Sequence, residues 1–431
     1  MAALSAIGSA RSILLAIFML MAGGGFIGAL VGIRLQDSGE DPLLIGLAGT
    51  AYFAGLTVGA PRVGRVIDRV GHIRAFAAFV ALLSASTLTY SVHETIAVWG
   101  VLRFIDGLCL AGVYVCLESW LSDRADPADR GSAIASYMVA LYAGQALGQW
   151  FLKLGTSAPG LPFVAASILI SLAILPIALT RSPSPVIAPA PTLSVRRLYA
   201  ISPLGLTGAG ATGLILGAFY GLGAVYARQS GLSLGATAAL MSAVIAGGVA
   251  LQWPLGWLSD RVDRRKVIVG AFAATLAVSV LIALGRPSGA ALLASGAMFG
   301  GLSFVLYPLC VAHANDHIPT EQRVGASGGL VMVYSAGAAL GPLPAAAAMS
   351  AIGPAGLFAF VAACMGAAVA FALWRVLVSP PVPNESQGPY QALPRTTPIS
   401  AALDPLAPAP GDSLPAGPRA SSAFRLHEDD Q

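Results

Sequence analysis

Long apolar runs separated by short polar loops set the pattern of this chain. Runs of spanning length fall at residues 12–33, 43–62, 74–91, 97–121, 131–152, 161–180, 203–226, 236–258, 267–285, 290–313, 324–349 and 354–378. Each is long enough to cross about 30 Å of hydrocarbon as an α-helix, the open-chain structure that satisfies its own backbone there. The pattern predicts an all-α membrane protein with twelve transmembrane helices. The fifth and sixth runs are the least sharply bounded, because Lys153, Pro159 and Pro162 fall at their junction. The first, Ile13 to Ile33 after Arg11, exceeds the apolar region of a cleaved signal peptide and reads as a spanning helix.

Two stretches break the pattern. Residues 181–202 are proline-rich and divide the helices six and six, which predicts a cytoplasmic linker between helical bundles at 1–180 and 203–378. Residues 379–431 hold eleven prolines, no long apolar run and an acidic end at Glu428, Asp429 and Asp430. That composition predicts a disordered cytoplasmic tail. With the N-terminus inside, the outer loops carry Arg34, Lys153, Arg228 and Arg286, and Arg103 lies within a helix. All other Lys and Arg then fall on the cytoplasmic side, so both termini are expected in the cytoplasm of a cell bounded by this inner membrane.

Composition agrees with lipid as the main solvent: 56% of the 431 residues are hydrophobic and 10% are charged. Soluble domains carry about 25% charged residues. The formal charge of +4 does not point to nucleic acid, since the basic residues sit in interhelical loops. Cys109, Cys116, Cys310 and Cys364 all lie in apolar runs without CxxC spacing, so neither a disulfide framework nor a zinc site is expected. His313 and His317 have metal-pair spacing, but at a polar helix end with no third strong ligand. No phosphate-binding loop or catalytic-triad spacing is present, so no enzyme and no cofactor is expected.

An internal repeat organises the chain. Gly64-Arg-Val-Ile-Asp68-Arg69 returns as Gly256-Trp-Leu-Ser-Asp260-Arg261, with the aspartates 192 residues apart. Gly107 and Gly300, Tyr114 and Tyr307, Asp123 and Asp316, and Arg130 and Arg323 pair at a spacing of 193. Six helices separate the matched positions, so the halves share one topology and are related by an axis along the membrane normal. In such proteins the site lies between the halves near the midplane.

The loop GRVIDRVGHIR at 64–74 resembles the major facilitator signature between helices two and three, and GWLSDRVDRRK at 256–266 resembles its second-half copy. His72 stands where a basic residue is usual, and Asp263 where the pattern favours glycine for a tight turn. Arg103-Phe-Ile-Asp106-Gly107 resembles the family's Arg-x-x-Gln-Gly motif, with Asp106 at the glutamine position. Together with YVCLESW at 114–120, QWPLGWLSD at 252–260, LYP at 306–308 and YSAGAALGP at 334–342, these segments are similar to the YcaD-like branch. The resemblance covers the chain to about residue 378. It implies a twelve-helix, two-half transporter fold and leaves the substrate open.

The loop motif has a physical reading of its own. Gly64 and Gly256 permit close helix approach, and Asp68 and Asp260 can face a helix N-terminus across the halves. Arg69, Arg74 and Arg261 can pair with acidic groups at the same end, with Asp123 the candidate partner for the first two. Contacts that form in one conformation and break in another gate access; the alternative is simple topogenic charge. The second copy is expected to matter less, because of Asp263.

Helix four carries the charges placed within the bilayer: Arg103, Asp106 and Glu118. Arg103, Gly107, Tyr114 and Glu118 share an arc of about 80°, which must face protein or a wet cavity. Arg103 and Asp106 can neutralise each other, or Arg103 can face an anionic substrate. Glu118 lies roughly 22 Å further along and cannot reach them. It either pairs with an arginine such as Arg74 or titrates in the cavity and couples protons to transport. Tyr52, Tyr137, Tyr142, Gln145, Gln149, Tyr220, Gln252 and Tyr307 are further cavity candidates. The expected function is proton-coupled secondary transport of a small organic solute by a monomer in the lipid bilayer, with efflux favoured. An energy-independent facilitator and a non-transporting membrane sensor or scaffold are the alternatives.

Overall fold

The computed structural model describes residues 2–124, 130–180, 193–319, 322–378, 380, 382–383, 387–392 and 394–395. Among these residues, twelve long helical segments build two halves. In the first half, α1 comprises Ala2–Gly24 and Ile27–Asp37, α2 Pro42–Val70, α3 His72–Thr89 and α4 Ile96–Arg124. The half is completed by α5, Arg130–Gly148, and by α6, Leu161–Leu172 with Ile174–Ala178. In the second half, α7 is Pro203–Gln229, α8 Leu234–Ser259, α9 Arg264–Gly285 and α10 Gly289–Asn315. There α11 joins Arg323–Leu340 to Pro342–Ile352, and α12 is Ala355–Val378.

Eleven of these are long and apolar enough to cross a membrane. The remaining one, α5, is less apolar because it turns Tyr137 and Tyr142 into the interior. The blurred junction after α5 is a 3₁₀ helix, Gln149–Thr156, followed by α6 with Pro162 in its first turn. Outward faces present large apolar side chains such as Leu15, Leu82, Val101, Trp253 and Leu284. Hydrocarbon, not water, is the solvent that tolerates such a surface.

Packing repeats with the sequence. The α2–α4 pair is matched by α8–α10, α1–α5 by α7–α11, and α3–α6 by α9–α12. Small residues set these distances: a Cβ on Gly107 would overlap the Tyr52 carbonyl oxygen, and one on Gly300 the Val244 carbonyl oxygen. The repeat glycines are therefore contact points at which backbones touch.

The two signature loops turn differently. In the first, Gly71 adopts φ +82°, a conformation that favours glycine. Its counterpart Asp263 has φ −50°, so the second turn needs no glycine. Asp263 instead caps α9, accepting from the Arg265 N–H at 3.1 Å. The expectation of a degraded second copy is corrected by this geometry.

Part of the expected linker is ordered on the second half. Val195–Ile201 forms a short helix, Leu198 is buried, and the Leu193 N–H donates to the Gly325 carbonyl. Residues 181–192 and 396–431 lie outside the described residues. The described part of the C-terminal segment departs from the expectation of disorder, since residues 387–395 contain chain seated against the second half.

Candidate functional site

Helices of both halves enclose a central cavity of about 150 Å³. Its polar lining comes from Arg103 and Tyr114 on α4, Tyr52 on α2, Gln145 on α5, Gln149 at the start of the following 3₁₀ helix, and Tyr220 on α7. Tyr142 and Tyr334 face it as well. Of the other candidates, Tyr137 is fully buried, Tyr307 packs on Tyr334 at 5.1 Å between centroids, and neither they nor Gln252 reach the lining. Tyr334, which begins the YSAGAALGP segment, was the legible signal for the α11 wall.

The Arg103–Asp106 pair forms within the membrane interior, at 3.5 Å with both side chains buried. Asp106 turns away from the cavity and accepts from the Ser86 hydroxyl at 2.6 Å and the Tyr90 hydroxyl at 2.7 Å. Arg103 faces the cavity over the Tyr52 ring, 4.3 Å from its centroid. One carboxylate thus holds the arginine while two hydroxyls satisfy its remaining lone pairs, the condition a buried ion pair requires.

Glu118 is 0% exposed on the same helix, beside Tyr114 and Tyr137. Arg74, the arginine expected to meet it, is exposed, and so are Arg69 and Asp123. Among the described residues of the first half, Arg130 at the start of α5 is buried at that end of the bundle. Among the described residues, neither Arg69 nor Arg74 forms an ion pair with Asp123.

The loop motifs differ in what they engage. Asp68 is exposed and a Cβ on Gly64 would meet open space, so the first copy makes none of its expected close contacts in this conformation. Asp68 and Asp123 do both act electrostatically on buried His72. The second copy is a built charge cluster. Arg264 donates to Asp316 at 2.5 Å and to Asp260 at 3.1 Å. Arg264 stands 192 residues after His72, so the halves carry an arginine and a histidine at equivalent points between equivalent aspartates. Sequence reasoning missed Arg264 although this spacing marked it. Arg261 stacks on Trp257, 3.7 Å from the ring centroid. Burial alone would raise the Asp263 carboxyl, but hydrogen bonds and charge from Arg265 outweigh it and hold the group below the usual carboxylate range.

At the end opposite these loops the halves are closed against each other. Gln229 donates to Gln36 at 2.7 Å, Arg228 lies 3.7 Å from Asp37, and Ser350 donates to Asp41 at 3.2 Å. Just beyond the cavity, Thr50 donates to the Ala339 carbonyl and Ser242 to that of Ala146. Glycines again allow the approach, as a Cβ on Gly46 would press on Ala346 and the Pro342 carbonyl.

Two six-helix halves around one shared cavity define a polytopic membrane transporter. The chain matches the Major Facilitator Superfamily over residues 13–253 and 206–410, and it belongs to that family. Its relatives include the uncharacterized MFS-type transporter YcaD of Salmonella enteritidis PT4, 29% identical over 328 residues that cover 75% of this chain and 84% of the relative. YcaD of Escherichia fergusonii is 29% identical over 302 residues, 69% of this chain and 78% of the relative. The chain is therefore YcaD-like. Among solved structures it is similar in fold to the nucleoside transporter NupG, with a TM-score of 0.69, 13% identity, and coverage of 85% of this chain and 97% of that one. A bacterial homologue of the human lysosomal transporter Spinster, inward-facing and unoccupied, gives a TM-score of 0.63 at 13% identity, covering 93% and 97%.

Proposed function

We propose that this transporter is a proton-linked secondary carrier of a small amphipathic organic solute, working by alternating access with the signature loops on the cytoplasmic side. The observation that carries the reading is the central cavity, walled by both halves and closed at the end away from the loops, with the buried acid Glu118 one helical turn beyond its lining residue Tyr114. The concentration of Lys and Arg in the loops at residues 62–74 and 261–266 supports the orientation. In this conformation the protein is inward-facing. The aromatic, largely apolar lining supports efflux of an amphipathic compound. Asp68, Arg69, Arg74 and Asp123, exposed here, are the groups that close the cytoplasmic end when the halves rock together, and Asp260 and Arg261 serve that end in the second half.

Protonation of Glu118 couples the proton gradient to the rocking: the side chain is shut away from water in this conformation, and movement of the halves changes its access to water. The test is Glu118→Gln in proteoliposomes, using a labelled solute chosen by thermal-shift screening. Gradient-driven accumulation should vanish while solute counterflow and the melting temperature are retained. Full proton-driven transport by Glu118→Gln overturns the coupling assignment, and flux indifferent to any proton gradient in the unaltered protein marks a facilitator.

A further inference from the structure

The central cavity is partly filled by the chain itself. The Gly388 N–H donates to Asp316 Oδ1 at 2.9 Å, and its carbonyl accepts from Arg264 at 2.7 Å. The Tyr390 N–H donates to Asp260 Oδ1 at 2.8 Å, and its ring lies on Gly256, where a Cβ would overlap it. These contacts use the second-half signature residues as an anchor and lead the segment inward. Pro394 and Arg395 then stand in the cavity wall. The remaining space, about 150 Å³, is below the roughly 300–1,000 Å³ usual for a small-molecule pocket.

What Arg395 meets there defines a chemistry. Its guanidinium carbon sits 4.4 Å from the Phe304 ring centroid and 5.8 Å from that of Tyr334, with Nη2 3.5 Å from the Tyr220 hydroxyl. Tyr142 closes the group, 5.4 Å from Phe304 between centroids. Among the described residues no carboxylate lies within ion-pair distance of Arg395. The cation is therefore held by aromatic faces, the arrangement that recognises guanidinium and ammonium groups. The other arginine of the cavity, Arg103, is matched by Asp106 and lies over Tyr52, so it does not leave an opposing net charge.

We propose that Tyr142, Tyr220, Phe304 and Tyr334 form an organic-cation subsite, and that Arg395 of the chain's own C-terminal segment occupies it as a competing internal ligand. The proposal rests on the reading of this cavity as the transport site and names the solute class: a small aromatic or aliphatic cation. Such a solute gains the cage by displacing Arg395. A tethered occupant acts at high effective concentration, so removing it raises the apparent affinity of a free cation without any new contact.

The test measures binding to the purified full chain in nanodiscs, with benzamidinium as the probe and neutral benzamide as its isostere. Arg395→Gln should lower the apparent Kd for benzamidinium about tenfold and leave benzamide unchanged. Tyr390→Ala, which loosens the anchor and leaves the cage intact, should act in the same direction. Phe304→Leu in the Arg395→Gln background should weaken benzamidinium again and leave benzamide unchanged, which separates loss of the cation–ring contact from a general loss of packing. Unaltered benzamidinium affinity in Arg395→Gln and Tyr390→Ala, or an equal gain for benzamide, overturns the proposal. Binding is read without flux, so the two readings fail separately. Benzamidinium binding as expected with no proton-driven flux leaves the cage standing and removes the coupling. Driven flux of another solute, with affinity for benzamidinium indifferent to Arg395, does the reverse.

Discussion

Asp316→Asn tests the asymmetry between the two signature copies. Asp316 and Arg264 pair at 2.5 Å with side chains 2% and 1% exposed, so solvent screening is negligible. Asparagine keeps the volume and removes the charge, leaving the guanidinium with Asp260, whose side chain is 36% exposed. Removing one partner of a buried pair costs about 3–5 kcal/mol. The surviving contact to Asp260 places this case at the lower end, about 3 kcal/mol. The repeat provides its own control: Asp123, the counterpart of Asp316, is exposed, and Asp123→Asn should stay within about 0.5 kcal/mol of the parent. Melting of the full chain in nanodiscs, at one scan rate for all variants, reads both. Asp316→Asn should melt clearly lower and Asp123→Asn should not. Replacing the pair together, Arg264→Met with Asp316→Leu, should recover much of the loss, because the desolvated charges then disappear together. Equal melting of the two asparagine variants would refute the argument that the second copy is a buried charge cluster in this conformation.

The same measurement checks two further expectations. Gly107→Ala forces a methyl onto the Tyr52 carbonyl and should cost about 1–3 kcal/mol, whereas Gly64→Ala enters open space and should be nearly silent. Asp263→Ala removes the α9 cap and should cost roughly 1 kcal/mol. Since the Asp263 carboxyl is held below its ordinary value, its contribution is present above about pH 4 and is lost as pH falls through the depressed folded-state value. A cost of Asp263→Ala that instead grows as pH falls below about 4 would contradict the capping assignment.

The spanning helices, the two halves and the polar face of α4 were all legible along the chain, for one physical reason. Hydrocarbon demands about 20 apolar residues per crossing and penalises every charge inside, so length and charge placement are written into the linear pattern. The 192- and 193-residue spacings carried the pseudo-symmetry in the same way, and in the structure Arg103, Tyr114, Tyr52 and Tyr220 line one cavity. What the pattern does not encode is which groups meet across segments far apart in the chain. Asp123 and Asp316 are equivalent in sequence, yet one is exposed and the other is buried against Arg264, because the partner at the equivalent point is a histidine in one half and an arginine in the other. Asp263 looked like a defect where glycine was expected, until the backbone angles showed a capped turn. The C-terminal segment marks the limit most clearly. Its proline-rich composition cannot bury a core of its own, and only the tertiary structure supplies the aromatic rings of α7, α10 and α11 that give Arg395 a place to bind.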